Sequence, residues 1–185
     1  MDKKTIMRKA IADALEQRLE RADSLRDVSV QDILDECGLS RPTFYRYFSD
    51  KYDVVNWSYT YYVEELTGLY GQGGASADDD MFRHFVQFFY DKRHYFHKVL
   101  DYLGQNSFYD HYFDALVRWY TIMRYQQPRN VETLTPGERY MLIHSAAGTA
   151  QVLRRWLSDG CRESPEEMFH ILQQLAPGKT HRYDP

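Results

Sequence analysis

Residues 40–51 concentrate groups that suit one kind of chemistry. Ser40, Thr43, Tyr45 and Tyr47 carry hydroxyls, Arg41 and Arg46 carry guanidinium forks, and Lys51 carries a compact cation. Ser29 supplies a further hydroxyl a few residues upstream. Phosphate oxygens accept hydrogen bonds from hydroxyls, lysines and the free N–H groups of a helix start. An arginine fork matches O6 and N7 of guanine in the major groove. The set therefore fits nucleic-acid binding, with Arg41 and Arg46 as candidate base readers and Ser29 and Ser40 as candidate phosphate contacts. Other chemistries lack their parts. There is no glycine-rich phosphate loop, nucleophile elbow or HExxH motif. Cys37 and Cys161 stand far apart without a CxxC partner, and Cys161 has no evident base. His94 and His97 are three apart, but no carboxylate or cysteine in clear register completes a metal set. No catalytic residue, metal or cofactor is expected, and the chain reads as no enzyme.

These residues need helices to hold them. Strand-like alternation bounded by turns is absent, so the expected class is all-α. A first helix is expected over Lys3–Arg21, with Ile6, Ala10, Ala14, Ile11 and Leu15 on its inward side. A second begins at Ser29, where Asp32 can complete a capping box, and ends at Cys37-Gly38 with glycine as a left-handed cap. Ser40 and Pro42 then open a short third helix over Thr43–Phe48. Two short helices joined by a tight glycine turn make a helix-turn-helix. Phe44 and Phe48 should point inward and hold the third helix. A long fourth helix follows over Asp50–Tyr70. A glycine-rich loop leads to a fifth with Asp78–Asp80 at its start, and a sixth follows a break at Lys92-Arg93. A seventh covers Phe108–Tyr125. Thr135-Pro136-Gly137-Glu138 and Ser164-Pro165-Glu166-Glu167 start the last two, which run to Ser158 and about Ala176.

The segment Val28–Val54 closely resembles the DNA-binding part of the TetR family. Gly38-Leu39-Ser40, Thr43-Phe44-Tyr45, Tyr47-Phe48 and Lys51 fall in register with that family's pattern. The resemblance implies that Thr43, Tyr45 and Tyr47 touch DNA backbone or bases and that Lys51 touches phosphate. Leu34 departs from a usual alanine, and the second helix is unusually acidic at Asp32, Asp35 and Glu36, charges that should face away from phosphates. The resemblance also implies a homodimer on a near-palindromic double-stranded operator, with two reading heads about 34–36 Å apart. The expected division is a helix-turn-helix domain over 1–49, a helical-bundle dimerisation and effector or partner domain over 50–178, and a flexible tail over 179–185.

In the family, dimerisation usually uses the last two long helices. The small residues 145–150 permit close helix approach, so Ala146, Ala147, Ala150, Leu153, Trp156, Phe169 and Leu172 are candidate interface residues; close packing inside one subunit is the alternative. The stretch from Trp156 to Met168 is similar to a subgroup that includes the activator of dihydroxyacetone kinase genes, where the body meets a partner protein. The aromatic middle helices can instead line a small-molecule pocket, with Phe85, Phe89, His97, Tyr109, Phe113 and Trp119 as candidates. The same residues at helical spacing also suit a plain core.

Composition permits this reading. Hydrophobic residues make up 43% and charged residues 27%, which places the chain among folded proteins. The net charge of −4 does not exclude DNA, because only the contacting face must be basic. Lys3, Lys4, Arg8 and Lys9 gather at the start of the first helix. No apolar run spans a membrane and no secretory signal opens the chain, so a cytoplasmic setting is expected. The rival reading is a protein-interaction module with a vestigial helix-turn-helix.

Overall fold

A computed structural model of the chain describes residues 2–70, 75–100, 107–125, 127 and 129–175, with side chains for all of these except 66–70 and 75–78. The expected tail, 179–185, lies outside the described residues. The described residues form α1 (Lys3–Arg21), α2 (Val30–Cys37), α3 (Arg41–Tyr47), α4 (Lys51–Tyr70), α5 (Ala75–Asp91), α6 (Arg93–Leu100), α7 (Phe108–Tyr125), α8 (Pro136–Ser158) and α9 (Pro165–Leu175). Among them there is no strand, so the chain is all-α. Single 3-10 turns occupy Leu25–Asp27 and Val131–Thr133. No helix among the described residues is long and apolar enough to cross a membrane.

Local chemistry explains where the helices start. The Ser29 and Asp32 side chains each bond the other's backbone N–H, as do those of Thr135 and Glu138. Ser164 and Glu167 exchange the same pair of bonds ahead of α9. Each device satisfies two N–H groups that a helix start leaves open. The fifth helix begins at Ala75, earlier than the three aspartates suggest. Alanine at 75 and 77 favours extending the helix backwards.

Contacts divide the chain into two compact units. The first takes the described residues up to Met81 together with Lys92–Tyr109, and the second takes Phe82–Asp91 with the described residues from Asp110 onward. This differs from a break at residue 50, because α4 and α6 pack with α1. In the first unit α1 is central, touching α2, α3, α4 and α6. Its inward side is Ile11, Ala14, Leu15 and Leu19. Ile6 and Ala10 are exposed, contrary to the expected face, since the buried stripe drifts round the helix from Ile11. Lys98 of α6 donates to the carbonyls of Leu19 at 2.8 Å and Ala22 at 2.7 Å, which closes the end of α1. Lys92 reaches both oxygens of Glu16 at 2.6 Å. Tyr95 is half-buried, and desolvation of its hydroxyl, with the Glu16 charge, pushes the hydroxyl pKa up.

The second unit has an aromatic core. Phe85 and Phe89 lie 4.9 Å apart and both pack on Tyr112, while Phe82 stacks on Trp119 at 5.1 Å. Arg83 of α5 makes two bonds to Glu166 of α9, at 2.7 and 3.0 Å, and covers the Phe169 ring at 4.1 Å. Tyr120 and Thr149 share a buried hydroxyl bond of 2.7 Å. Ala146, Ala150, Leu153, Trp156, Phe169 and Leu172 are buried within this unit. A side chain with no area left to lose gains nothing against a second copy. Those six therefore pack the core of this unit, and of the expected interface set only Ala147 is partly open.

Candidate nucleic-acid interface

The helix-turn-helix is set by its connection. At Gly38 the backbone turns left-handed (φ +67°), and its N–H reaches the Leu34 carbonyl at 2.8 Å. A side chain there would meet no neighbour, so glycine is required by conformation and not by space. Ser40 then caps α3, accepting from the Thr43 N–H at 3.4 Å, with the two hydroxyls 2.9 Å apart. Phe44 and Phe48 are fully buried and fix the inner side of α3, as expected. Fully burying one such ring stabilises by about 1.5–3 kcal/mol.

The opposite side of α3 is open. Arg41, Tyr45 and Arg46 are exposed, with Tyr45 at 52%. Positions 41 and 45 lie four apart and so share one helix face, and 46 adjoins it. The Arg41 guanidinium leans on the Gln31 side-chain oxygen at 3.4 Å, and Gln31 in turn donates to Asp35 at 2.8 Å. Thr43 and Tyr47 are half-buried. Ser29 is exposed, yet its hydroxyl donates to the Asp32 carboxylate at 2.6 Å. Bonds from the Ser29 hydroxyl and amide, with Arg18 beside them, hold the Asp32 carboxyl below its ordinary pKa.

The acidic side chains of α2 are mostly accounted for by α1. Arg18 meets Asp32 at 2.9 Å and Glu36 at 3.7 Å, and Arg21 meets Glu36 at 3.3 Å. Asp35 instead sits beside Gln31, on the side that holds Arg41. Lys51 donates to the carbonyls of Arg26 at 3.0 Å and Val28 at 2.5 Å. Burial pushes its ammonium below the ordinary lysine value, against the pull of Asp27, Asp32 and Asp50. Lys51 thus clamps the segment that leads into Ser29, and two of its three N–H bonds are already made within the chain.

Sequence reasoning missed two contributors. Gln31 orients Arg41 from ten residues away. Arg8 lies half-buried against Phe48 and Trp57. A signal for Arg8 existed: it falls three residues before Ile11 and seven before Leu15, on the buried stripe of α1, where a charged residue needs a partner. The aromatic ligand candidates are dispersed. Phe89 is fully buried core, while Phe85, Phe113 and Trp119 are half-buried in the second unit. His97 is exposed and Tyr109 half-buried, and both belong to the first unit. Among the described residues no cluster of histidine, cysteine and carboxylates is arranged to hold a metal.

Comparison with known proteins agrees with this geometry. The family model described as "Bacterial regulatory proteins, tetR family" matches residues 21–56, and that described as "Transcriptional regulator C-terminal region" matches residues 79–178. No curated protein sequence matches the chain. Among solved structures, the dihydroxyacetone kinase operon activator DhaS is 16% identical with a TM-score of 0.61, over 93% of this chain and 94% of that one. The fatty acid degradation regulator FadR from Bacillus halodurans is 16% identical with a TM-score of 0.62, over 98% and 99%. NalD, the secondary repressor of the MexAB-OprM multidrug efflux pump in Pseudomonas aeruginosa, is 18% identical with a TM-score of 0.59, over 94% and 96%.

Proposed function

The chain belongs to the TetR family of transcription regulators, and from that premise we propose that it binds a near-palindromic DNA operator as a homodimer. The observation that carries this reading is α3, buried on one side through Phe44 and Phe48 and open on the other at Arg41, Tyr45 and Arg46. Arg41 and Arg46 read base edges in the major groove. Ser40, Thr43, Tyr45 and Tyr47 contact the sugar-phosphate backbone or adjoining bases. Ser29 and Lys51 serve mainly by fixing the start of α2, whose N–H groups face phosphate, and Lys51 offers its remaining N–H there.

Dimerisation uses the exposed faces of α8 and α9. Tyr140, His144, Gly148 and Gln151 form an open row on α8 beside Ala147, and Ile171 and Leu175 are open on α9. Two-fold symmetry then presents two copies of α3 about 34–36 Å apart, one turn of DNA. A small ligand or a partner protein modulates binding by favouring one arrangement of the heads over another. The half-buried aromatics Phe85, Phe113 and Trp119 are the candidate contacts for an apolar ligand. As a DNA-binding regulator the protein acts in the cytoplasm. The similar structures include one named as an activator and one as a repressor, and the reading accommodates either sense.

Selection of the purified protein against a random duplex library at fixed salt tests this. Enrichment of a near-palindrome is the expected result. A folded dimer that enriches nothing would overturn autonomous operator binding and favour a protein-interaction role.

A further inference from the structure

We propose that Arg8 is a positioning residue for base reading, one that sets the pitch of α3 without touching DNA; this rests on the operator-binding reading above. One Arg8 nitrogen donates to the carbonyl of Tyr47, the last residue of α3, at 3.2 Å. The guanidinium lies 5.3 Å from the centre of the Phe48 ring and 5.7 Å from that of Trp57. Its Nε is buried and has no hydrogen-bond partner among the described residues. A half-buried guanidinium with one nitrogen shut off from water is costly, and here aromatic faces and one directional bond offset that cost. That bond goes to the end of α3, where a positive charge also suits the open carbonyls.

The surroundings make this contact a lever. Phe44, Phe48, Trp57 and Tyr61 form a continuous aromatic row, with successive ring centres 6.1, 5.8 and 5.2 Å apart. Arg8 caps the middle of the row, and Lys9 lies 5.2 Å from the Tyr61 ring. Further along α1, Arg18 and Arg21 hold α2. One helix therefore braces both members of the helix-turn-helix. Tyr45 and Arg46 immediately precede Tyr47, so a tilt at that carbonyl displaces the groups that face DNA. Base-edge hydrogen bonds depend on placement within fractions of an ångström, while phosphate attraction does not.

The test compares Arg8→Met and Arg8→Lys with the unaltered chain on its selected operator and on a mixed-sequence duplex, each as a function of salt. Methionine keeps the packing volume and loses the bond and the charge; lysine keeps the charge without the fork. The expected result is operator binding about ten-fold weaker in Arg8→Met, the size of effect that follows loss of a charge-assisted bond. Mixed-sequence binding should change less than about two-fold, with the salt slope on both duplexes retained and Arg8→Lys intermediate. Equal loss on both duplexes, or a salt slope lower by about one, would make Arg8 a phosphate contact and overturn the proposal. Unchanged operator affinity would overturn it as well.

A second readout needs no DNA. The Phe48 N–H, bonded to the Phe44 carbonyl at 3.0 Å, should exchange with solvent faster in both variants while α8 stays unchanged. If the unaltered chain selects no operator, the functional reading fails, and this exchange rate still decides whether Arg8 holds α3. An unaltered rate would refute that.

Discussion

Phe44 and Tyr45 are chain neighbours with opposite surroundings, the first fully buried and the second 52% exposed. Their substitutions should therefore separate folding from binding. Phe44→Ala should cost about 3–5 kcal/mol of stability, enough to loosen the head, as measured by thermal or denaturant unfolding. Tyr45→Ala should leave the unfolding curve within about 0.5 kcal/mol and weaken DNA binding. If both variants bind and unfold like the unaltered chain, the inner and outer sides of α3 are misassigned. Arg46→Ala should relax the preference at one base position of each half-site by about 1–3 kcal/mol, visible when selection is repeated with the variant. At this scale the sequence was informative wherever partners are near in the chain. Ser29 with Asp32, Thr135 with Glu138 and Ser164 with Glu167 were legible because each pair is three residues apart. The partners of Arg8 and Lys51 were not, because Tyr47 lies 39 residues from the one and Arg26 lies 25 from the other. Lysine at 51 suggested phosphate from resemblance, whereas the structure gives two of its bonds to backbone carbonyls.

At the scale of elements, the turn between α2 and α3 depends on one backbone conformation. Gly38→Ala should destabilise the head by roughly 1–2 kcal/mol through the left-handed φ alone, since there is space for the methyl group. Differential unfolding of the variant measures this, and an unshifted midpoint would mean that the turn has another route. The start of α2 also carries a pH dependence. Asp32 titrates below its ordinary value, so its bonds to Ser29 stabilise the fold above the usual carboxylate range. That stability is lost as pH falls through the lowered value. Protection of the amides at the start of α2, taken relative to the intrinsic exchange rate at each pH, should fall below about pH 4, and Asp32→Asn should show the lower protection already at neutral pH. Helix positions were nearly all legible from periodicity and caps. The inward face of α1 was misread at Ile6 and Ala10, because the apolar spacing alone does not show that the buried stripe starts at Ile11 and drifts away from that line.

For the whole molecule, the proposed dimer rests on what α8 and α9 leave uncovered. The small-residue run was read as an interface, with packing inside one subunit as the alternative; Ala146 and Ala150 are buried within the subunit, as are Leu153 and Trp156. Small residues signal close approach between helices without saying which helices. The uncovered row suggests its own test: Tyr140→Asp, at a side chain 62% exposed, should raise the dimer dissociation constant more than about ten-fold. Light scattering across a concentration series reads this directly, and an undisturbed dimer would move the interface elsewhere.

The bonds from Lys92 and Lys98 to α1 bear on how regulators of this kind can be recombined. A reading head cut from the chain at residue 50 would leave behind the segment that closes the end of α1, with the carbonyls of Leu19 and Ala22 returned to water. A transplant that exchanges only the first fifty residues would place those carbonyls against a foreign α6. A head taken from this chain keeps those carbonyls bonded when Lys98 and its helix travel with it, or when the recipient carries its own cation at the position of Lys98.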